Sequence, residues 1–135
     1  MPNAENIKKW VDALRSGKYK QGKGFLNMDG EYCCLGVACE LAIANGVKVE
    51  VAKDVHRGDD AILYDGLHGY LPGVVAEWLG TGFSSGFQDG ENDVVIGLDA
   101  EGYEMSATSA NDDADMTFDQ IADAIEQKYL TPVPA

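Results

Sequence analysis

The chain has 135 residues and a net charge of −13 at pH 7, with 45% hydrophobic and 24% charged residues. That is one domain's worth of globular chain, able to bury roughly two-thirds of its unfolded surface. No apolar run approaches the ~20 residues of a membrane span, no signal-peptide pattern opens the chain, and apolar clusters recur too evenly for disorder, so the expectation is a cytoplasmic protein away from membranes.

The first predicted element is a helix capped by Asn3. Ile7, Trp10, Val11 and Leu14 recur at helical spacing, and Ser16-Gly17 ends it. A loop with two glycines and three lysines follows, over residues 18–24. The runs Phe25–Met28 and Glu31–Cys34 then flank Asp29-Gly30, the pair a tight hairpin turn prefers because both central residues need positive φ. Leu35 to Asn45 reads as a helix apolar nearly all round, hence central. Val47, Val49 and Val51 alternate with Lys48 and Glu50, which predicts a half-buried strand.

Residues 61–64 precede Asp65-Gly66 and predict a strand and turn. Residues 71–80 predict a short helix, with Pro72 in its first turn and Gly80 as its stop. Residues 81–93 are rich in Gly, Ser and Asp and read as loop; residues 94–98 read as a short strand. The acidic stretch 99–115 reads as loop with a strand near Tyr103–Met105. The last predicted element is a helix opened by a Thr117/Gln120 capping box and a Met116/Ile121 staple, with Phe118, Ile121, Ala122, Ile125 and Tyr129 as its stripe. Residues 131–135 form a Pro-containing tail. The sum is a single α+β domain over residues 1–135, with a small, mainly antiparallel sheet and three or four helices.

Charge is unevenly placed. Residues 1–25 hold six cations against two anions, a net +4, while the other 110 hold four against 21, a net −17. Such acidity opposes broad binding to nucleic-acid phosphates. It leaves a basic island in which Lys18, Lys20 and Lys23 stand beside Tyr19 among glycines. Glycine-freed N–H groups and lysine charges are what one small anion requires, and Arg57 and His68 are candidates to join from other loops. Tyr64, Tyr70, Trp78, Phe83 and Phe87 cluster in one third of the chain, either as core or as faces for a flat ligand.

Other chemistries find less support. Cys33, Cys34 and Cys39 match no redox or zinc spacing and read first as small buried hydrophobes. Cys34, at a strand-to-helix junction, is a weak candidate nucleophile. Asn111, Asp113 and Asp115 begin like a calcium loop, but Met116 and Ala122 replace its glycine and glutamate; Asp89, Glu91 and Asp93 fail similarly. No metal site, cofactor or Walker-type phosphate loop is expected.

One string goes beyond such patterns. Trp10 to Gly22 (WVDALRSGKYKQG) leads to Tyr32–Ala42 (YCCLGVACELA), then Tyr70-Leu71-Pro72 with Val75 and Trp78 to Gly80, then Thr117, Phe118, Ile121 to Asp123, Ile125 and Glu126. This resembles a family of small, mostly uncharacterised proteins encoded by tailed phages and some bacteria. The resemblance carries over no catalytic or binding residue. It implies an accessory protein in the host cytoplasm, of the kind that counters host machinery or defence by binding. Two binding functions fit: sequestering a small anionic or nucleotide-like ligand at the basic island, or docking an acidic face (Asp89 to Asp115) on the nucleic-acid site of a host protein. A cysteine-dependent hydrolase is the third reading.

Overall fold

The computed structural model describes residues 3–56, 59–80, 82–83, 91–98, 101–112, 114 and 116–130. Helix α1 (Ala4–Arg15) is capped by the Asn3 side chain, which accepts from the Asn6 N–H at 3.1 Å, and it buries Ile7, Trp10, Val11 and Leu14, as its spacing requires. Strands β1 (Lys20–Gln21), β2 (Asn27–Met28) and β3 (Glu31–Tyr32) follow. Asp29 and Gly30 turn between β2 and β3 with φ of 51° and 80°, the conformation that favours Asp-Gly there.

Helix α2 (Cys34–Ala44) is the centre of the molecule. Cys34, Leu35, Val37, Ala38, Cys39 and Ala42 are all buried, so it has no wet face along most of its length. The buried Trp10 indole N–H donates to the Cys34 carbonyl at 2.9 Å, tying α1 to the first turn of α2. Burying one such aromatic contributes at most roughly 4–6 kcal/mol. Gly36 is where α2 meets the chain just before β2: a Cβ there would lie 1.7 Å from the Leu26 carbonyl oxygen. Only glycine permits that approach.

Strands β4 (Val51–His56) and β5 (Asp59–Tyr64) form the next hairpin. The strand expected over 47–51 is displaced to Val51. Val47 and Val49 are half-buried as the alternation suggests, but the Glu50 N–H and C=O are engaged by the Asp65 carboxylate and N–H, not by a ladder. Asp65 and Gly66 both take positive φ in the expected turn. Strand β6 (Leu71–Pro72) runs into α3 (Gly73–Leu79), with Pro72 at the N-cap and Gly80 left-handed at the C-cap. Residues 81–93 are not all loop: β7 (Gly82–Phe83) and the start of β8 (Glu91–Leu98) fall among them.

The acidic stretch carries a missed helix. Strand β9 (Glu104–Ser106) leads into α4 (Ala107–Asp112), where the Ser106 hydroxyl accepts from the Ser109 N–H. Its buried residues, Ala107, Ala110 and Asn111, make no conspicuous apolar stripe. Helix α5 (Phe118–Ile125) has the full Thr117/Gln120 capping box and buries Phe118, Ile121, Ala122 and Ile125 of the expected stripe, then passes into one π-helical turn (Glu126–Leu130), where Tyr129 is half-buried. There the Tyr129 hydroxyl donates to the Val95 carbonyl at 2.5 Å.

The fold is α+β, with five α-helices and nine short strands among the described residues. One sheet has the order β1-β3-β2-β5-β4; in the other, β8 pairs β6, β7 and β9. All pairings are antiparallel except β1 with β3. A single buried cluster runs from Ile7 to Ile125 through all five helices. No described helix is long and apolar enough to cross a membrane.

Candidate ligand site at the first hairpin

The basic island is fastened to the body of the protein. The Gln21 amide donates to Asn111 Oδ1 (2.9 Å) and the Met116 carbonyl (2.8 Å) and accepts from the Phe118 N–H. Asn111 Nδ2 donates to the Gly22 carbonyl and to Asp112 Oδ1. These bonds hold residues 20–24 against α4 and α5.

The glycine cradle expected for an anion does not form. The Gly22 N–H donates to the Tyr32 carbonyl at 2.7 Å, and the Gly24 N–H donates to Asp112 Oδ1 at 3.1 Å. Both donors are satisfied within the fold, as backbone amides at such junctions tend to be.

The same segment does wall a cavity of about 260 Å³, lined by Gly22, Lys23, Phe25, Met28, Asp29 and Glu31. Its two carboxylates already have partners. Glu31 pairs with Lys20 across the β1–β3 register at 3.1 Å, and Asp29 Oδ1 accepts from the Asp60 N–H at 3.0 Å. Lys23 is the cation in the wall. Phe25 and His68 pack together beside it, ring centroids 5.4 Å apart, and the Leu26 N–H fastens the His68 carbonyl at 2.6 Å. A larger groove of about 590 Å³ lies between α1 and the π-turn, lined by Ala4, Glu5, Lys8, Glu126 and Leu130. Its Lys8 pairs with Asp12 and its Glu126 with Arg15, so those charges are engaged elsewhere. The hairpin cavity is smaller but combines a cation with an aromatic plane, and it is the better candidate.

The expected site residues therefore separate. Lys20, Lys23 and His68 gather at the hairpin. Lys18 is exposed, and its N–H donates to the Ser16 hydroxyl. The Tyr19 ring meets the Tyr32 ring edge-on at 5.3 Å, and neither tyrosine is among the cavity-lining residues. Arg57 lies outside the described residues, as do the side chains of Phe83 and Phe87. Among the described aromatics of that third of the chain, Tyr64 is buried, while Tyr70 and Trp78 are half-buried.

The cysteines are set deep. All three are free and buried. Burial pushes the Cys33 thiol up to about 12, a rise tempered by the Gly36 and Leu35 backbone N–H groups. Burial likewise holds Cys34 and Cys39 well above the ordinary thiol range. The Cys34 thiol donates to the Ala107 carbonyl at 3.4 Å. A thiol so placed offers no thiolate for attack. Among the described residues, no cluster of His, Cys, Asp or Glu could hold a metal ion.

Sequence reasoning passed over Glu40. It is the one charged residue in α2, half-buried where every neighbour on its helix is apolar or small. The Tyr64 hydroxyl donates to its Oε2 at 2.7 Å, and Asn27 Nδ2 donates to the same hydroxyl at 3.1 Å. A lone carboxylate inside an apolar helix was the available signal.

A mainly antiparallel α+β domain with a cavity under its first hairpin defines the class of protein. The chain belongs to the family described as Domain of unknown function (DUF8296), whose model matches residues 3–129. No curated protein matches it. No solved structure does either.

Proposed function

We propose that this protein is a phage-type accessory binding module that sequesters a small anionic, nucleotide-like ligand at the hairpin cavity, countering a host defence in the host cytoplasm. The observation that carries the reading is a cavity wall that holds Lys23 together with Phe25, whose ring packs on His68. A lysine supplies the point charge an anionic group needs, and an aromatic plane supplies a stacking face for a base. Rigid attachment through Gln21 and Asn111 favours binding, because little loop entropy is lost on capture. The buried, high-pKa cysteines weigh against the hydrolase reading.

Native mass spectrometry against nucleoside mono- and diphosphates tests the proposal. One bound nucleotide per chain, lost in the Lys18→Ala/Lys20→Ala/Lys23→Ala variant, supports it. Adducts unchanged in that variant refute the site.

The acidic body, net −17 outside the first 25 residues, favours a second reading: an inhibitor docked on a basic nucleic-acid site of a host protein. Such a complex weakens sharply with salt. Salt-insensitive capture of a partner contradicts it.

A further inference from the structure

The two residues of each hairpin strand point to opposite faces, and the β2–β3 register pairs Met28 with Glu31 and Asn27 with Tyr32. Met28 and Glu31 line the cavity already described. Asn27 and Tyr32 belong to the other face, where Glu40 and Tyr64 form a separate cluster.

We propose that this second face binds an organic ammonium group, seated between the Glu40 carboxylate and the rings of Tyr19 and Tyr32. Glu40 has the Tyr64 hydroxyl on Oε2, and among the described residues no cation forms an ion pair with it. The Tyr64 hydroxyl occupies one acceptor position on the Glu40 carboxylate, which leaves others for a ligand cation. Tyr19 and Tyr32 stand edge to face, 5.3 Å apart at 88°, so their ring planes are perpendicular. Perpendicular tyrosine rings beside a carboxylate are a binding geometry for alkylated ammonium, which the ring quadrupole attracts and which tolerates partial desolvation better than a metal ion. Asn27 keeps the Tyr64 hydroxyl in place and thereby orients Glu40. The tyrosine hydroxyls stay protonated at neutral pH, since burial and the Glu40 charge raise Tyr19 and Tyr32. The overall charge of −13 favours a cationic ligand over an anionic one at this face.

The experiment is an NMR titration of the full chain with choline chloride, and in parallel with 3,3-dimethyl-1-butanol, its uncharged isostere. The expected result is saturable shifts at Glu40, Tyr19 and Tyr32 with choline and none with the isostere. Glu40→Gln keeps the shape and removes the charge, and is expected to weaken choline binding about tenfold. Should that variant not fold, Tyr19→Leu, which leaves the Tyr64–Glu40 bond untouched, is expected to weaken it severalfold. Equal shifts with the isostere, no shifts with choline, or undiminished binding in the folded variants each overturn the proposal.

Discussion

Replacing Gly36 by alanine asks whether α2 is seated as tightly on the hairpin as the geometry says. The added Cβ would lie 1.7 Å from the Leu26 oxygen, 2.6 Å from its carbonyl carbon and 3.1 Å from its Cα. Carbon and oxygen normally stay about 3.3 Å apart, so something must shift by about 1.6 Å. Neither side gives easily. Leu26 is buried with its N–H on the His68 carbonyl, and α2 is held at its first turn by Trp10. Overpacking of this kind costs typically about 1–3 kcal/mol, and the top of that range applies because both partners are backbone. Alanine's better helix propensity returns about 1 kcal/mol. The net loss is then about 2 kcal/mol, and at roughly 3–5 °C per kcal/mol for a domain of this size Tm falls by about 6–10 °C.

Thermal unfolding followed by circular dichroism measures it. Gly46→Ala is the comparison: its φ of 92° strains alanine, but a Cβ there meets nothing within 4 Å. Gly36→Ala should destabilise more than Gly46→Ala. A Tm within two degrees of the parent, or a rise, would refute the claim that the α2–hairpin contact is close-packed backbone.

Other outcomes follow from the same structure. The cysteines should resist iodoacetamide in the native state and react, three per chain, once unfolded in denaturant; rapid labelling of folded protein would show that an exposed thiolate exists. Thr117→Ala removes the capping-box acceptor and should cost about 1 kcal/mol by urea titration, with an unchanged midpoint contradicting the cap assignment. Arg15 holds Glu126 below its ordinary value of 4.5. A depressed carboxylate stabilises the fold above its unfolded pKa and stops doing so as pH falls through the folded one. Arg15→Gln should therefore lower Tm at pH 7 more than at pH 3, and an equal loss at both would exclude the ion pair as the cause.

Local chemistry made much of this fold legible. Asn3, Thr117 with Gln120, and Asp29-Gly30 each satisfy or permit a particular backbone group within a few residues, so their meaning survives without the tertiary structure. Helix α4 was hidden because Ala107, Ala110 and Asn111 fill a tight space against the core without an apolar stripe. The alternation at Val47 and Val49 reported burial truly, but Asp65, distant in sequence, took the hydrogen bonds that a strand would have used. The candidate site divides the same way. Composition singled out the lysines, yet the engagement of the Gly24 N–H depends on Asp112, 88 residues away, and Lys20 belongs to Glu31 through a β1–β3 pairing no local pattern announces. Glu40 was visible as a misfit in an apolar helix, but its tyrosine neighbours come from β3, β5 and the segment before β1.

The most direct test of the binding account is a two-dimensional amide NMR titration of the protein with adenosine 5′-monophosphate at low salt. The account predicts saturable shifts confined to residues 22–31 and 68–69, reduced about tenfold in affinity by Lys23→Ala. Shifts that map elsewhere, or no shifts at all, would contradict it.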